Sequence, residues 1–186
     1  MTETDFTALC TYARHFSRLD DDKIATLHGL YADIQPRIPA VTDAFYTHLQ
    51  TIPKTAPFLE GRLESLKKTH QDWTMELFTS AFDSAYTERL YRVGDIHVKI
   101  KLPVEFMAGA IFIIQSELMK QFQSLYGQDP VRLLTAADAT NSATGFSLLI
   151  MQESFQSSTL VSELDNFLKI TGMSRKLFNN LAMAYR

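Results

Sequence analysis

The sequence predicts an all-α fold, and three observations carry that prediction. Seven Gly and six Pro are few for 186 residues, and they fall largely between periodic stretches. Within those stretches apolar residues return every three or four positions, the period of a helix with one buried face. No Asn-Gly or Asp-Gly pair joins two alternating runs, so neither hairpins nor βαβ units have a sequence signal.

A first helix is predicted from about Asp5 to Arg18. Asp20 stands as the cap of a second, which runs to about Ile34 before Pro36. A third extends from about Pro39 to Thr51, with Val41, Phe45 and Leu49 on its apolar face. Pro53 and Pro57 bracket a short turn ending in Phe58 and Leu59. After Gly61 a longer helix carries the stripe Leu63, Leu66, Thr69, Trp73 and Leu77. Asp83 caps the next, whose stripe is Tyr86, Leu90, Val93, His97 and Ile100. Pro103 suits the first turn of a further helix reaching about Tyr126, before Gly127. Asp129 followed by Pro130 is the cap and first-turn pair of the last long helix. From Pro130 to about Ile170 only Gly145 interrupts it. About 40 residues at 1.5 Å each make a rod of about 60 Å, against a width on the order of 30 Å for a compact domain of this size. The rod is therefore expected to project or to pack on a partner. Leu160, Leu164, Phe167 and Leu168 form a seam along its distal part that suggests helix pairing. Gly172 stops it, and Ser174 opens a final short helix through Leu177, Phe178 and Leu181.

Composition removes several function classes. A 46% hydrophobic, 21% charged chain with net charge -3 is ordinary for a globular protein, and its length allows one core without staples. No run of about 18 apolar residues exists to span a membrane. The start, Met1 to Asp5, lacks the basic and apolar regions of a secretory signal. Cys10 alone excludes disulfide frameworks, paired-Cys zinc sites and covalent haem attachment. The absence of a basic cluster argues against a nucleic-acid partner. The expected setting is the cytoplasm, with neither membrane nor nucleic acid as partner.

No nucleotide loop, nucleophile elbow or HExxH motif occurs, which leaves no case for hydrolysis or phosphoryl transfer. Five histidines remain: His15, His28, His48, His70 and His97. His97 lies on the face of Val93 and Ile100, between Ile96 and Val98, where charging an imidazole is costly. A neutral ring there reads either as a satisfied core histidine or as an axial haem ligand. The other four stand beside polar residues and read as surface groups. His70 lies about 100° round the helix from Thr69, so ligation by it would require a rotated helix.

The string Val93-Gly94-Asp95-Ile96-His97-Val98-Lys99-Ile100-Lys101-Leu102-Pro103 resembles the proximal segment of the globin-coupled sensors. Phe45-Tyr46 and the Pro-containing turn after it resemble that family's distal helix. Leu66-Lys67-Lys68-Thr69, Trp73 and Leu77-Phe78 resemble its second distal helix. The likeness covers roughly Asp20 to Gln156 in one order. It implies a globin fold with an extra N-terminal helix, no D helix and a long C-terminal helix, holding haem b. By matching position His97 would be the iron ligand, with Tyr46, Thr69 and Leu66 on the distal side. Phe58, Leu66, Trp73, Leu77, Val93, Met107 and Ile111 would wall the macrocycle.

Such a pocket would bind O₂, CO or NO, and a hydroxyl from Tyr46 would favour O₂, which carries more negative charge when bound than CO does. From its own position, Tyr46 reads equally as a core tyrosine with its hydroxyl at the rim. Thr69 reads equally as a hydroxyl bonded back to its own helix. Two positions depart from the family: Lys101 replaces the usual Gly before Leu-Pro, and Phe106-Met107 replaces a Trp-Tyr pair. The resemblance also implies a homodimer through the last two globin helices. It implies a sensor globin domain over 1–157 and a helical linker over 158–186 toward an output domain such as a diguanylate cyclase, a histidine kinase or a chemotaxis module. This segment is expected not to be an enzyme. The competing readings are a haem-free globin-fold stress regulator and a haem-dependent NO dioxygenase or peroxidase-like globin.

Overall fold

A computed structural model describes residues 4–184, and every regular element among them is helical. The order is α1 (Phe6–Phe16), α2 (Asp21–Ile34), a 3-10 turn (Gln35–Arg37), α3 (Ile38–Gln50), α4 (Ala56–Leu59), α5 (Leu63–Glu76), α6 (Ser84–Lys99), α7 (Val104–Tyr126), α8 (Pro130–Thr171) and α9 (Arg175–Ala184). Carboxylate caps set four of the starts. Asp5 accepts from the Thr7 and Ala8 amides, Asp20 from Lys23, Asp83 from Tyr86 and Asp129 from Arg132. Each satisfies amides that an α-helix leaves unpaired in its first turn.

One core runs through the body. Leu27, Ile34, Val41, Leu77, Phe78, Phe82, Leu118 and Phe146 are fully buried in it. Phe82 meets Tyr86 and Phe146 edge-on at 5.1 and 5.5 Å, which locks the start of α6 against the middle of α8. Arg132 lies over the Tyr126 ring and pairs with Asp33, and the Tyr126 hydroxyl donates to the same carboxylate. This pins the α7–α8 corner to α2.

The long helix divides at Ser154. Buried residues occur along α8 from Ala136 to Ser154 and none follows. At 1.5 Å per residue its 42 residues span about 63 Å, so its distal part stands outside the core. Leu160, Phe167 and Ile170 are exposed there. The boundary expected at 157/158 falls inside this unbroken helix. Gly172, with φ +67, ends α8 in the left-handed conformation that glycine adopts freely. α9 then turns back: Phe178 packs edge-on against Phe167 at 6.3 Å, and Arg175 pairs with Asp165.

Candidate functional site

α3 and α5 build one side of the site. Phe45 and Tyr46 are buried on α3 with their rings edge to face at 4.9 Å. Lys67 of α5 pairs with Asp43 of α3 at 2.8 Å and sets the register between the helices. In that register the His70 ring stacks on Phe45 at 4.6 Å and meets Tyr46 edge-on at 5.8 Å. His70 Nδ1 lies 2.9 Å from the Thr42 hydroxyl, while Nε2 is buried without a hydrogen-bond partner among the described residues. Burial pushes the His70 pKa down to about 4, so the ring is neutral near pH 7. Burial likewise pushes Tyr46 up to about 12, which keeps its hydroxyl a donor.

This arrangement corrects one expectation about α5 and bears on another. Thr69 is exposed, and its hydroxyl donates back to the Ser65 carbonyl at 3.1 Å. His70 is not a surface group. The reason is helical phase: Leu63, Leu66, His70, Trp73 and Leu77 follow spacings of 3, 4, 3 and 4, and Thr69 falls beside that stripe. The polar neighbours Thr69 and Gln71 hid this in the sequence, whereas spacing counted from Leu66 to Trp73 would have found it. Of the remaining histidines, His15 and His48 are exposed, and His28 Nε2 lies 2.9 Å from the Ser80 carbonyl oxygen.

α6 builds the other side. His97 is half-buried, and its Nδ1 is buried with no partner among the described residues. Desolvation lowers its pKa, which favours the neutral ring a metal requires. The helix ends just beyond it in a Schellman pattern, with the Leu102 amide donating to the His97 carbonyl and the Lys101 amide to Val98, each at 2.9 Å. Lys101 occupies the left-handed position of that pattern at φ +55. The residue that departs from the family's glycine therefore still adopts the conformation glycine would supply.

α7 and α8 supply a small apolar cluster of Met107, Ile111 and Met151, against which Trp73 of α5 packs. Trp73 in turn lies 5.8 Å from His70, and its indole Nε1 is buried without a hydrogen-bond partner among the described residues. The structure thus joins three of the expected wall residues, Trp73, Met107 and Ile111. The remaining candidates lie outside that cluster. Leu77 is fully buried in the main core, and Leu66 is half-buried against that core. Phe58 packs on Phe106, and Val93 is 36% exposed. Met151 contributes to the cluster from α8, a helix no wall residue was assigned to.

Among the described residues no three His, Cys, Asp or Glu side chains converge on one point. A bare ion has no ligand set here. An iron held within a macrocycle would ask of the protein one neutral imidazole and an apolar wall.

The profile of the Protoglobin family matches residues 7–160. The chain belongs to the protoglobin family. The globin domain of a Geobacter sulfurreducens globin-coupled sensor superposes with a TM-score of 0.72 at 27% identity, covering 78% of this chain and 96% of that one. The globin domain of E. coli DosC superposes with a TM-score of 0.65 at 15% identity, covering 78% and 99%, which speaks to the fold alone. The heme-based aerotactic transducer HemAT of Halobacterium salinarum is 30% identical over 102 residues, 51% of this chain. The chain spans only about 20% of that relative's length. The resemblance to globin-coupled sensors and the globin fold are thereby borne out, with α1 as the extra N-terminal helix and no helix between α4 and α5.

Proposed function

We propose that this protoglobin domain is a haem-based sensor of a diatomic gas, O₂ first among O₂, CO and NO. The observation that carries the reading is His97: a neutral, partly buried imidazole with an unpartnered nitrogen, at the position where the family's pattern has its iron ligand. The apolar cluster at Trp73 and the unpartnered His70 nitrogen fit the same group. Haem b, when bound, supplies an iron with a position open to a gas. His97 would hold it from α6. Tyr46 would offer a neutral hydroxyl to the more polar gas, O₂ over CO. Trp73, Met107, Ile111 and Met151 would keep water away.

A second reading of the resting state is favoured by the unpartnered Nε2 of His70, which offers an internal ligand that a gas would have to displace. Absorption spectra separate the two. A ferrous spectrum that is five-coordinate and shifts with CO supports an open site. A low-spin six-coordinate spectrum that becomes five-coordinate in His70→Ala supports the closed one. In either case His97→Ala is expected to lose haem and to regain it only with added imidazole; unaltered haem binding in that variant removes the assignment and the function with it.

Signalling is assigned to a homodimer through α7 and α8. These helices line an exposed groove of about 320 Å³ that includes Phe112, Met119, Ala137 and Asn141, and Phe112 is 75% exposed beside it. Apolar surface of this kind, continued by Val131 and Leu134 at the start of α8, is what a partner copy would cover. The helix beyond Ser154 would carry the signal to an output domain in the cytoplasm. No helix among the described residues is long and apolar enough to cross a membrane.

A further inference from the structure

α6 and α8 meet at backbone distance one turn before His97. A Cβ on Gly94 would stand 2.5 Å from the Met151 carbonyl oxygen and 2.7 Å from Ser154 Cβ, so only glycine permits the approach. Asp95 extends the contact along α8. Its Oδ1 accepts a hydrogen bond from the Ser154 hydroxyl at 2.8 Å and a shorter one from the Ser158 hydroxyl. Hydrogen bonds to a carboxylate are stronger than those between neutral groups, and two of them converge here.

The Ser154 hydroxyl also lies 2.5 Å from the Tyr91 carbonyl oxygen. A hydroxyl has one proton to give. Ser154 therefore faces two acceptors on one turn of α6, the Tyr91 carbonyl and the Asp95 carboxylate, and satisfies one of them at a time. Asp95 and His97 are two residues apart, about 200° round the helix. Their side chains leave the same turn on either side of Gly94, the residue that touches α8, so a tilt of this turn moves both. Ser154 is the last buried residue of α8, and Ser158 stands one turn farther out. The clasp holds the long helix at the place where it leaves the body.

We propose that Asp95, Ser154 and Ser158 are the joint through which the position of His97 is passed to the projecting half of α8. The proposal rests on the sensor reading above. Coupling between two sites needs an element with two arrangements that both sites bias. Here the element is the Ser154 hydroxyl: turned to Asp95 it closes the clasp with two donors, and turned to Tyr91 it leaves Ser158 as the sole donor to Asp95. No covalent bond changes; one hydroxyl rotates. Asp95 acts as a positioning residue, since it reaches the site only through the helix that bears His97.

Hydrogen exchange over residues 155–171 tests this in the haem-loaded ferrous protein, with and without CO. In the unaltered protein CO is expected to change exchange in that segment at least threefold. Ser158→Ala and Asp95→Ala are expected to cut this CO-dependent change to less than a third, with CO binding intact by absorption. Ser158→Thr, which keeps a hydroxyl, is expected to restore it. A merely structural role would speed exchange equally in both gas states and leave the difference standing. An undiminished difference in both variants overturns the joint, as does an unaltered protein that binds CO with no change over 155–171. If Asp95→Ala does not fold, the Ser158→Ala and Ser158→Thr pair decides alone. Failure of the unaltered protein to take up haem, read from the same spectra, overturns instead the sensor reading on which the joint depends.

Discussion

On α5, His70 is held on three sides: stacked on Phe45, edge-on to Tyr46, and bonded through Nδ1 to Thr42. On α6, the buried Nδ1 of His97 has no hydrogen-bond partner among the described residues; what is fixed is its backbone, through the bond from the Leu102 amide to its carbonyl. Both rings are neutral for the same reason, loss of water, but only one is oriented by its own protein. A ring held by neighbours presents one nitrogen in one direction. A ring held at its backbone takes its orientation from what ligates it and passes any pull to its helix. Under the sensor reading proposed above, the contrast would make α5 the rigid side and α6 the responsive one.

The largest expected effect tests the buried state of His70. Between pH 6.5 and about 4 the unfolded chain binds a proton that the folded chain refuses at this ring. Stability is thus full above pH 6.5 and falls as pH drops toward 4, by up to about 3 kcal/mol. Urea titrations of the haem-free protein across that range measure it, and His70→Leu is expected to flatten most of the slope. A slope unchanged in that variant would mean that His70 is not the refusing group and would dissolve the contrast with α6.

Next is the seating of α6. Gly94→Ala puts a methyl against the Met151 carbonyl, a backbone atom that cannot turn aside. The helices must part, at a cost of about 2 to 3 kcal/mol. A melting temperature unchanged within error would show α6 to be looser than its packing implies.

A smaller gain is expected at the end of the same helix. Lys101→Gly removes a side chain from a left-handed position, φ +55, and should stabilise by about 1 kcal/mol. Chemical denaturation detects it. A destabilised variant would mean that the lysine side chain supplies something its backbone costs.

The smallest effect sharpens the reading of α5. Thr69→Val alters an exposed hydroxyl and is expected to shift stability by less than about 0.5 kcal/mol and O₂ release not at all. Tyr46→Phe, one helix away, is expected to speed O₂ release more than CO release. Stopped-flow measurements on both variants decide which side of α5 faces the gas, and a Thr69 effect equal to that of Tyr46 would reverse the assignment.

Most of the fold was legible because its signals are local. Asp20, Asp83 and Asp129 cap the helices they announce, and Gly172 ends α8 where its sequence position says it should. His97 stood out in the sequence because Gly94, the aliphatic neighbours and Leu102-Pro103 stand at fixed spacing around it. His70 was misread because adjacent residues on a helix are about 100° apart, so a one-residue error in phase exchanges an inward side chain for an outward one. Polar neighbours give no warning of that error.

The sequence by itself determined that the chain is helical, about where its longer helices start and stop, and which family's motifs it carries, since these depend on caps, periodicity and spacing along one strand of chain. Only the tertiary structure decided which imidazole is locked and which is free, that Met151 joins Trp73 across the core, and that Asp95 meets Ser154 and Ser158. Those contacts join residues about 60 to 80 positions apart, and the angle at which two helices dock decides them, which no local pattern records.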